Sequence, residues 1–392
     1  MKLCKFLELY KEYTAGNETP EIIHIWIGLA TLAGAVEGRV WLARGFFKIF
    51  LNLYLLIIAP PGVCAKSTSM GLSQDLLQEA GLSVFSSSST KAQLVIDMTE
   101  SLKVYDPPDG QGDPYQHCSI TYYTDEFNVL LDAGGASMVK FLTTIFSLNR
   151  DYSDRTKSAG SYTIVNPWLN IVAATVPKWF SSSLASDADA TGLLSRFIIL
   201  YETRKRGRIA HPRVTPAQLH ARQHLLETIF ELGAMFGEVK ETKAAYHFYE
   251  EWYEKQRPDL RDDERLVEYF ERKVKLHVPK VAALMAIGDG RMVMDVKDYE
   301  RAITLLDGID HRLRAIYRMS GENKYAQYIV RIQTLLASAG GRVRMRDLLQ
   351  IFCPQLRLDE FKAVVEQIEE MEIAKRRRVH GELFLVANGS ES

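Results

Sequence analysis

The stretch over 51–80 constrains the fold more than any other part of the chain. An apolar run from Leu51 to Ala59 enters Pro60-Pro61-Gly62-Val63-Cys64-Ala65, then Lys66-Ser67-Thr68, then a helix-like segment over 70–80. A run this short and this apolar reads as a central parallel strand, buried on both faces. It is far too short to cross a bilayer. Strand, loop, helix is the order that cradles phosphate. Backbone N–H groups at the helix start bind the anion, a lysine adds charge, and a serine hydroxyl holds Mg²⁺. The pattern G-x-x-x-x-G-K-[ST] aligns on 60–67 with Pro60 and Ala65 in place of its two glycines. Ala65 carries a Cβ where the backbone should approach phosphate, and it resists φ > 0. The loop alone also fits a tight strand–helix turn with a surface lysine. Read as a phosphate loop, Pro61, Gly62, Val63, Cys64, Ala65, Lys66, Ser67 and Thr68 form the binding set for ATP.

The bulk numbers set bounds. The 392 residues suffice for two or three domains. Net charge is −1, so contact with nucleic acid must come from local patches. Cys4, Cys64, Cys118 and Cys353 are scattered, without zinc-ligand or CxxC spacing. That predicts a reduced, cytoplasmic protein with no structural metal. The first residues are amphipathic and mixed in charge, unlike a signal peptide, and no membrane contact is expected.

Four regions follow from the pattern. Residues 1–37 read as a helical N-terminal adornment, with a helix start at Thr19-Pro20-Glu21. Residues 38–209 read as an α/β core: a hairpin over 40–50, strands at 84–89, 117–124, 169–175 and 197–201, and helices over 90–102 and 136–148. Residues 210–320 turn helical, with Pro279 expected to kink or divide one segment. Residues 321–392 read as three helices and a β-hairpin, the winged-helix order.

The chemistry gathers at strand ends. Ile120-Thr-Tyr-Tyr-Thr-Asp125-Glu126 lies after the loop, and a strand ending in two carboxylates suits phosphoryl transfer. Asp125, with Ser67, would hold Mg²⁺, and Glu126 would polarise the attacking water. A pair of surface carboxylates opening a turn is the plainer alternative. Thr175 ends another strand and could hydrogen-bond the γ-phosphate, or be a polar strand end before Pro177. Arg196 precedes the strand at 197–201 and could reach a neighbouring subunit's nucleotide, or pair with Asp187 or Asp189. Lys375-Arg376-Arg377-Arg378 falls on the expected wing, where basic residues would follow a nucleic-acid backbone. The preceding helix carries Asp359, Glu360, Glu366, Glu369 and Glu370, which argues against major-groove reading. His277 reads as a core histidine.

Taken in order, Asp125-Glu126-Phe127, Lys157-Ser-Ala-Gly160, Val172-Ala-Ala-Thr175-Val-Pro177 and Ser195-Arg196-Phe197 resemble successive landmarks of MCM-type AAA+ helicases. The resemblance makes them the Walker B motif, a DNA-touching hairpin, sensor 1 and the arginine finger. It also makes 210–320 the lid, through Asp295-Val-Lys-Asp298-Tyr-Glu-Arg301-Ala-Ile303. Leu9-Tyr-Lys-Glu-Tyr13 and Pro20-Glu21 resemble helicase-like ATPases of phages, prophages and plasmids. The chain departs from the pattern at Ala65, at Thr175 in place of Asn, and in lacking an N-terminal zinc-bearing domain. Sensor 2 rests between Arg272 and Lys280. The resemblance implies an AAA+ P-loop ATPase assembled as a ring, a hexamer, that moves along single-stranded DNA in its pore for replication of a mobile element. Lys157 would touch DNA, and a primase or initiator would be a partner. Two rivals use the same residues: a nucleotide-dependent loader or switch acting on a partner protein, and a non-catalytic DNA-binding protein with a degenerate loop.

Overall fold

The computed structural model describes residues 2–86, 90–106, 114–147, 150–156, 160–180, 192–258, 264–319, 325–370, 373–379 and 381–388. By contacts the chain divides into two units, Met1–Ile316 and Tyr317–Ser392.

In the larger unit, α1 (Lys5–Tyr13) and α2 (Glu21–Val36) precede an antiparallel hairpin, β1 (Val40–Arg44) and β2 (Phe47–Phe50). The window Glu21–Arg39 is long and apolar enough to cross a membrane by length and composition, yet 89% of it is buried inside the fold. The reason is position: α2 packs against the central sheet, against α1 and against later helices. The N-terminal segment is thus part of the core.

The sheet is built from β3 (Tyr54–Ile58), β4 (Val84–Ser86), β5 (Leu102–Tyr105) and β6 (Tyr115–Thr124). After an antiparallel hairpin of β7 (Tyr152–Thr156) and β8 (Gly160–Ile164), it is completed by β9 (Pro167–Thr175) and β10 (Phe197–Tyr201). The order is β10-β3-β9-β6-β4, with every pair on this path parallel. β5 adds to β6 antiparallel. Every residue of β3 and of β9 is buried, as a sheet covered on both faces requires. Alternation divides β3: Leu55 and Ile57 join the core shared with α2. Tyr54 turns to the other face, where it meets Phe146 and Phe197 and donates to the Leu142 carbonyl. The fold class is therefore α/β, a mainly parallel sheet flanked by helices.

The connecting helices α3 (Lys66–Glu79), α4 (Lys91–Glu100), α5 (Phe127–Ile145) and the single turn α6 (Pro177–Trp179) mostly follow the sequence reading. One boundary differs, and one helix gains a preceding segment. The helix expected over 90–102 stops at Glu100, because Leu102-Lys-Val-Tyr105 pairs with β6. The helix expected from residue 136 does start there, where Gly135 at φ 52°, ψ −150° interrupts α5, and it is preceded by a first segment from Phe127 that the sequence reading did not include.

Beyond β10 come α7 (Pro216–Leu232), α8 (Lys243–Lys255), α9 (Glu264–Arg272), a π-turn at Lys273–His277, α10 (Val278–Gly288) and α11 (Val296–Met319). Thr215 and Gln218 close a reciprocal cap at the start of α7. Pro279 does not divide the segment: the helical backbone runs unbroken from α9 through the π-turn into α10, and the π-turn lies just before the proline. Short pairings tie β11 (Gly237–Glu238) to β1, and β12 (Lys240–Glu241) to β13 (Val293–Met294). One hydrophobic core runs from Leu3 to Ile309.

The smaller unit orders α12 (Ala326–Ser338), β14 (Arg342–Arg344), α13 (Met345–Phe352), α14 (Leu358–Glu370), β15 (Ala374–Val379) and β16 (Glu382–Ala387). Its antiparallel sheet runs β14-β16-β15 over a separate core that includes Ile332, Leu348, Phe352, Val364 and Leu385.

Candidate functional site

Parallel strands deliver their C-terminal ends to one edge of the sheet, the usual place for a ligand crevice. Register fixes who meets there. Ile58, the last residue of β3, pairs with Thr175, the last of β9. Thr124, the last of β6, pairs with Ala173 of β9. β9 therefore stands between the loop strand and the carboxylate strand, and Thr175 lies between Lys66 and Asp125–Glu126.

The loop turns directly into α3. Ala65 adopts φ 43°, ψ 45°, a left-handed conformation, and Lys66 is the first helical residue. This is the position where the pattern has glycine, and the alanine takes the glycine conformation at a steric cost. Ala65 offers no side-chain cap, so the first-turn amides of α3 face the loop uncapped. Gly62 also has positive φ, 68°, and a Cβ there would meet nothing within 4 Å. The N-terminal turn holds the loop from behind. Ser69 Oγ donates to Thr19 Oγ1 at 2.7 Å, and Thr19 Oγ1 lies 3.5 Å from the Ala65 carbonyl. Cys64 is buried. Its thiol faces the carbonyls of Glu202 and Arg204, and burial raises its pKa, so it is a loop filler.

Lys66 Nζ donates to the Ala59 carbonyl at 2.5 Å and to the Thr175 carbonyl at 3.2 Å. Two strand ends thus aim the ammonium along the sheet edge. Partial burial lowers its pKa, countered by Cys64 and Asp125. Ser67 Oγ donates to Asp125 Oδ2 at 3.2 Å. Glu126 is exposed at the start of α5. A cavity of about 440 Å³ lies between Ser67, Met70, Tyr123, Asp125 and Glu126. Thr175 is 2% exposed and its Oγ1 has no hydrogen-bond partner among the described residues. A buried orphan hydroxyl is costly unless a ligand or water satisfies it.

Arg196 lies elsewhere. Phe197 pairs with Tyr54 and Tyr201 with Ile58, so Arg196 leaves the sheet at the opposite edge, roughly 15 Å along the strand from the loop. Its Nη1 donates to the Gly192 carbonyl, and its Nε is buried without a partner among the described residues. Burial, with Arg272 nearby, pulls its pKa down to about 10. Neighbouring Ser195 donates to Glu268 at 2.9 Å, and His277 Nε2 lies 3.1 Å from the Ser195 carbonyl. Lys280 is fully buried there too, donating to Asn52 O and Oδ1 at 2.8 Å each, with burial driving its pKa well down. Both sensor 2 options, Arg272 and Lys280, sit at this far edge and cannot reach the loop of their own chain.

The other candidates divide. Lys157 lies outside the described residues, as do Asp187 and Asp189. In β15 the basic run splits by strand alternation. Arg376 turns toward α14, where its N, Nε and Nη2 all donate to Glu369. Lys375 and Arg377 take the other face. Sequence reasoning missed Thr19, whose only signal was its place as a helix cap, and Arg342 and Arg344, which alternate in a strand too short to read.

No protein-family model matches the sequence, and no curated protein matches it.

Proposed function

We propose that the chain is an ATPase of the AAA+ P-loop type, similar to MCM helicases, acting as a ring-shaped DNA motor for replication of a mobile element. The observation that carries this reading is the convergence of Lys66, Ser67, Asp125, Glu126 and Thr175 at one sheet edge, beside an uncapped helix N-terminus. The first-turn amides and Lys66 would hold the phosphates, the ammonium exchanging main-chain carbonyls for phosphate oxygens. Mg²⁺ keeps several waters and needs one or two protein oxygens beside substrate phosphate, which Ser67 and Asp125 supply. When bound it neutralises charge on the phosphate oxygens. Glu126 would orient water and accept its proton as the new O–P bond forms and the β–γ bridge breaks. Thr175 Oγ1, otherwise orphaned, would donate to the γ-phosphate. Arg196 would serve the neighbouring subunit's site, since its own is at the far edge. The helix–strand–helix–helix–strand–strand order of the smaller unit supports the winged-helix reading, and 210–320 takes the place of the lid.

Ala65 favours one second reading. Its Cβ, where the pattern has none, would hinder turnover more than binding, as in a nucleotide-dependent switch acting on a partner. ATP hydrolysis by wild type and Glu126→Gln, with and without single-stranded DNA and with particle size followed, separates the two. DNA-stimulated turnover lost in the variant, in a ring-sized particle, supports the motor. ATP binding without turnover supports the switch. No ATP binding ends both.

A further inference from the structure

The smaller unit carries a sheet face that the wing reading does not describe. Cross-strand partners share a face. Leu385 pairs with both Val343 and Arg376, and Leu385 is fully buried against the helices. The alternate rows therefore point away from the core. One row is Arg342–Val386–Lys375 and the next is Arg344–Phe384–Arg377, with β16 in the middle. Each row sets one apolar side chain between two cationic ones. Phe384 and Val386 are half-buried, and the four basic residues are exposed. The Arg344 guanidinium stands 6.0 Å from the Phe384 ring centre. Glu382 opposes them, paired with Arg344 at 3.2 Å, both ends well exposed and so weakly held.

We propose that this outer face of β14–β16–β15 binds single-stranded DNA, with a base stacked on Phe384 and the backbone running along Arg342, Arg344, Lys375 and Arg377. The chemistry selects this occupant. An aromatic ring flanked by cations on a flat sheet offers a stacking platform inside a positive field, and only an unpaired base presents its π-face. Strand spacing places the flanking cations about 10 Å apart across the ring, wide enough to admit a nucleotide. The opposite side of the unit discourages duplex: α14 carries Asp359, Glu360, Glu366, Glu369 and Glu370, acids that would repel groove phosphates. The choice of DNA over RNA rests on the proposed function; the stacking face does not.

The test uses the full chain without nucleotide and a short oligothymidylate containing 5-iododeoxyuridine. Photocrosslinking followed by peptide mapping is expected to mark Phe384. Phe384→Ala should lose that crosslink and weaken binding about tenfold, while Phe384→Trp keeps both. Arg342→Gln with Lys375→Gln should keep the crosslink position and flatten the salt dependence by roughly 1.4 in log–log slope. Crosslinks confined to residues 1–316, unchanged affinity in Phe384→Ala, or tighter binding of the matching duplex would each overturn the proposal. Tighter binding of the matching RNA would overturn the choice of DNA. Because no ATP is present, failure of the ATPase reading leaves these readouts unaffected.

Discussion

At Ala65 a single residue carries the tension between pattern and structure. A left-handed backbone costs a residue with a Cβ of the order of 1 kcal/mol, and that conformation is built into the loop. Ala65→Gly removes the cost and gives back a part of it through the freer unfolded chain. We expect the larger unit to gain a net few tenths of a kcal/mol, below about 1 kcal/mol, read as a shift in its denaturation midpoint; a loss of stability would mean that the loop does not hold this conformation. Under the proposed function the same change clears space for phosphate at the loop, so ATP affinity should rise. The place of Lys66 and Ser67 at a strand–helix junction was legible because a continuous apolar run leads into a Pro/Gly turn. Thr19 was not, because its partners Ala65 and Ser69 lie about fifty residues away and only the fold brings them together.

Elements with a strong period were readable: β3, β9 and β10 are buried on both faces and show as continuous apolar runs. β5 and β14 escaped for a physical reason. Each is an edge strand of three or four residues with no fully buried side chain, and the apolar Leu102 and Val104 of β5 are its exposed positions. α5 is two helical segments joined at Gly135, whose backbone is not helical; the second was read from residue 136 and the first, from Phe127, was not. What no period could reveal is how elements are joined. Ser73 of α3 is hydrogen-bonded at 2.6 Å to both Thr31 of α2 and Tyr123 of β6, the strand that leads into Asp125. All three are buried. Ser73→Ala would strand the Tyr123 hydroxyl and should cost ~1–3 kcal/mol. Adding Tyr123→Phe removes the orphan and should recover part of that loss. Denaturation of the two single variants and the double variant measures the coupling. Strict additivity would show that the bridge contributes nothing.

At the scale of the molecule, burial sets both acid stability and the reach of the site. His24 and His117 are held to a pKa of about 4, and His277 to about 3, each mainly by burial. All three are neutral in the fold and gain protons on unfolding below pH 6.5. Their contribution is complete above pH 6.5 and is lost as pH falls toward 4 and then 3, at about 1.4 kcal/mol per histidine per pH unit. Urea midpoints at pH 7 and pH 5 should differ accordingly, and equal midpoints would refute the burial. Reach is the larger question, because Arg196 and the loop occupy opposite edges of one sheet. If Arg196 completes an active site, that site belongs to another copy, and loop and arginine become separable functions. Lys66→Ala and Arg196→Ala should each abolish turnover as pure proteins. Mixed in equal amounts and allowed to exchange subunits, they should recover activity, since an intact arginine from the first then meets an intact loop in the second. Random assembly around a closed ring makes roughly a quarter of the interfaces competent, which sets the expected ceiling relative to wild type. Recovery near that level requires a head-to-tail arrangement. A mixture as inactive as its components would assign Arg196 to the buried cluster around Glu268 and Arg272 alone.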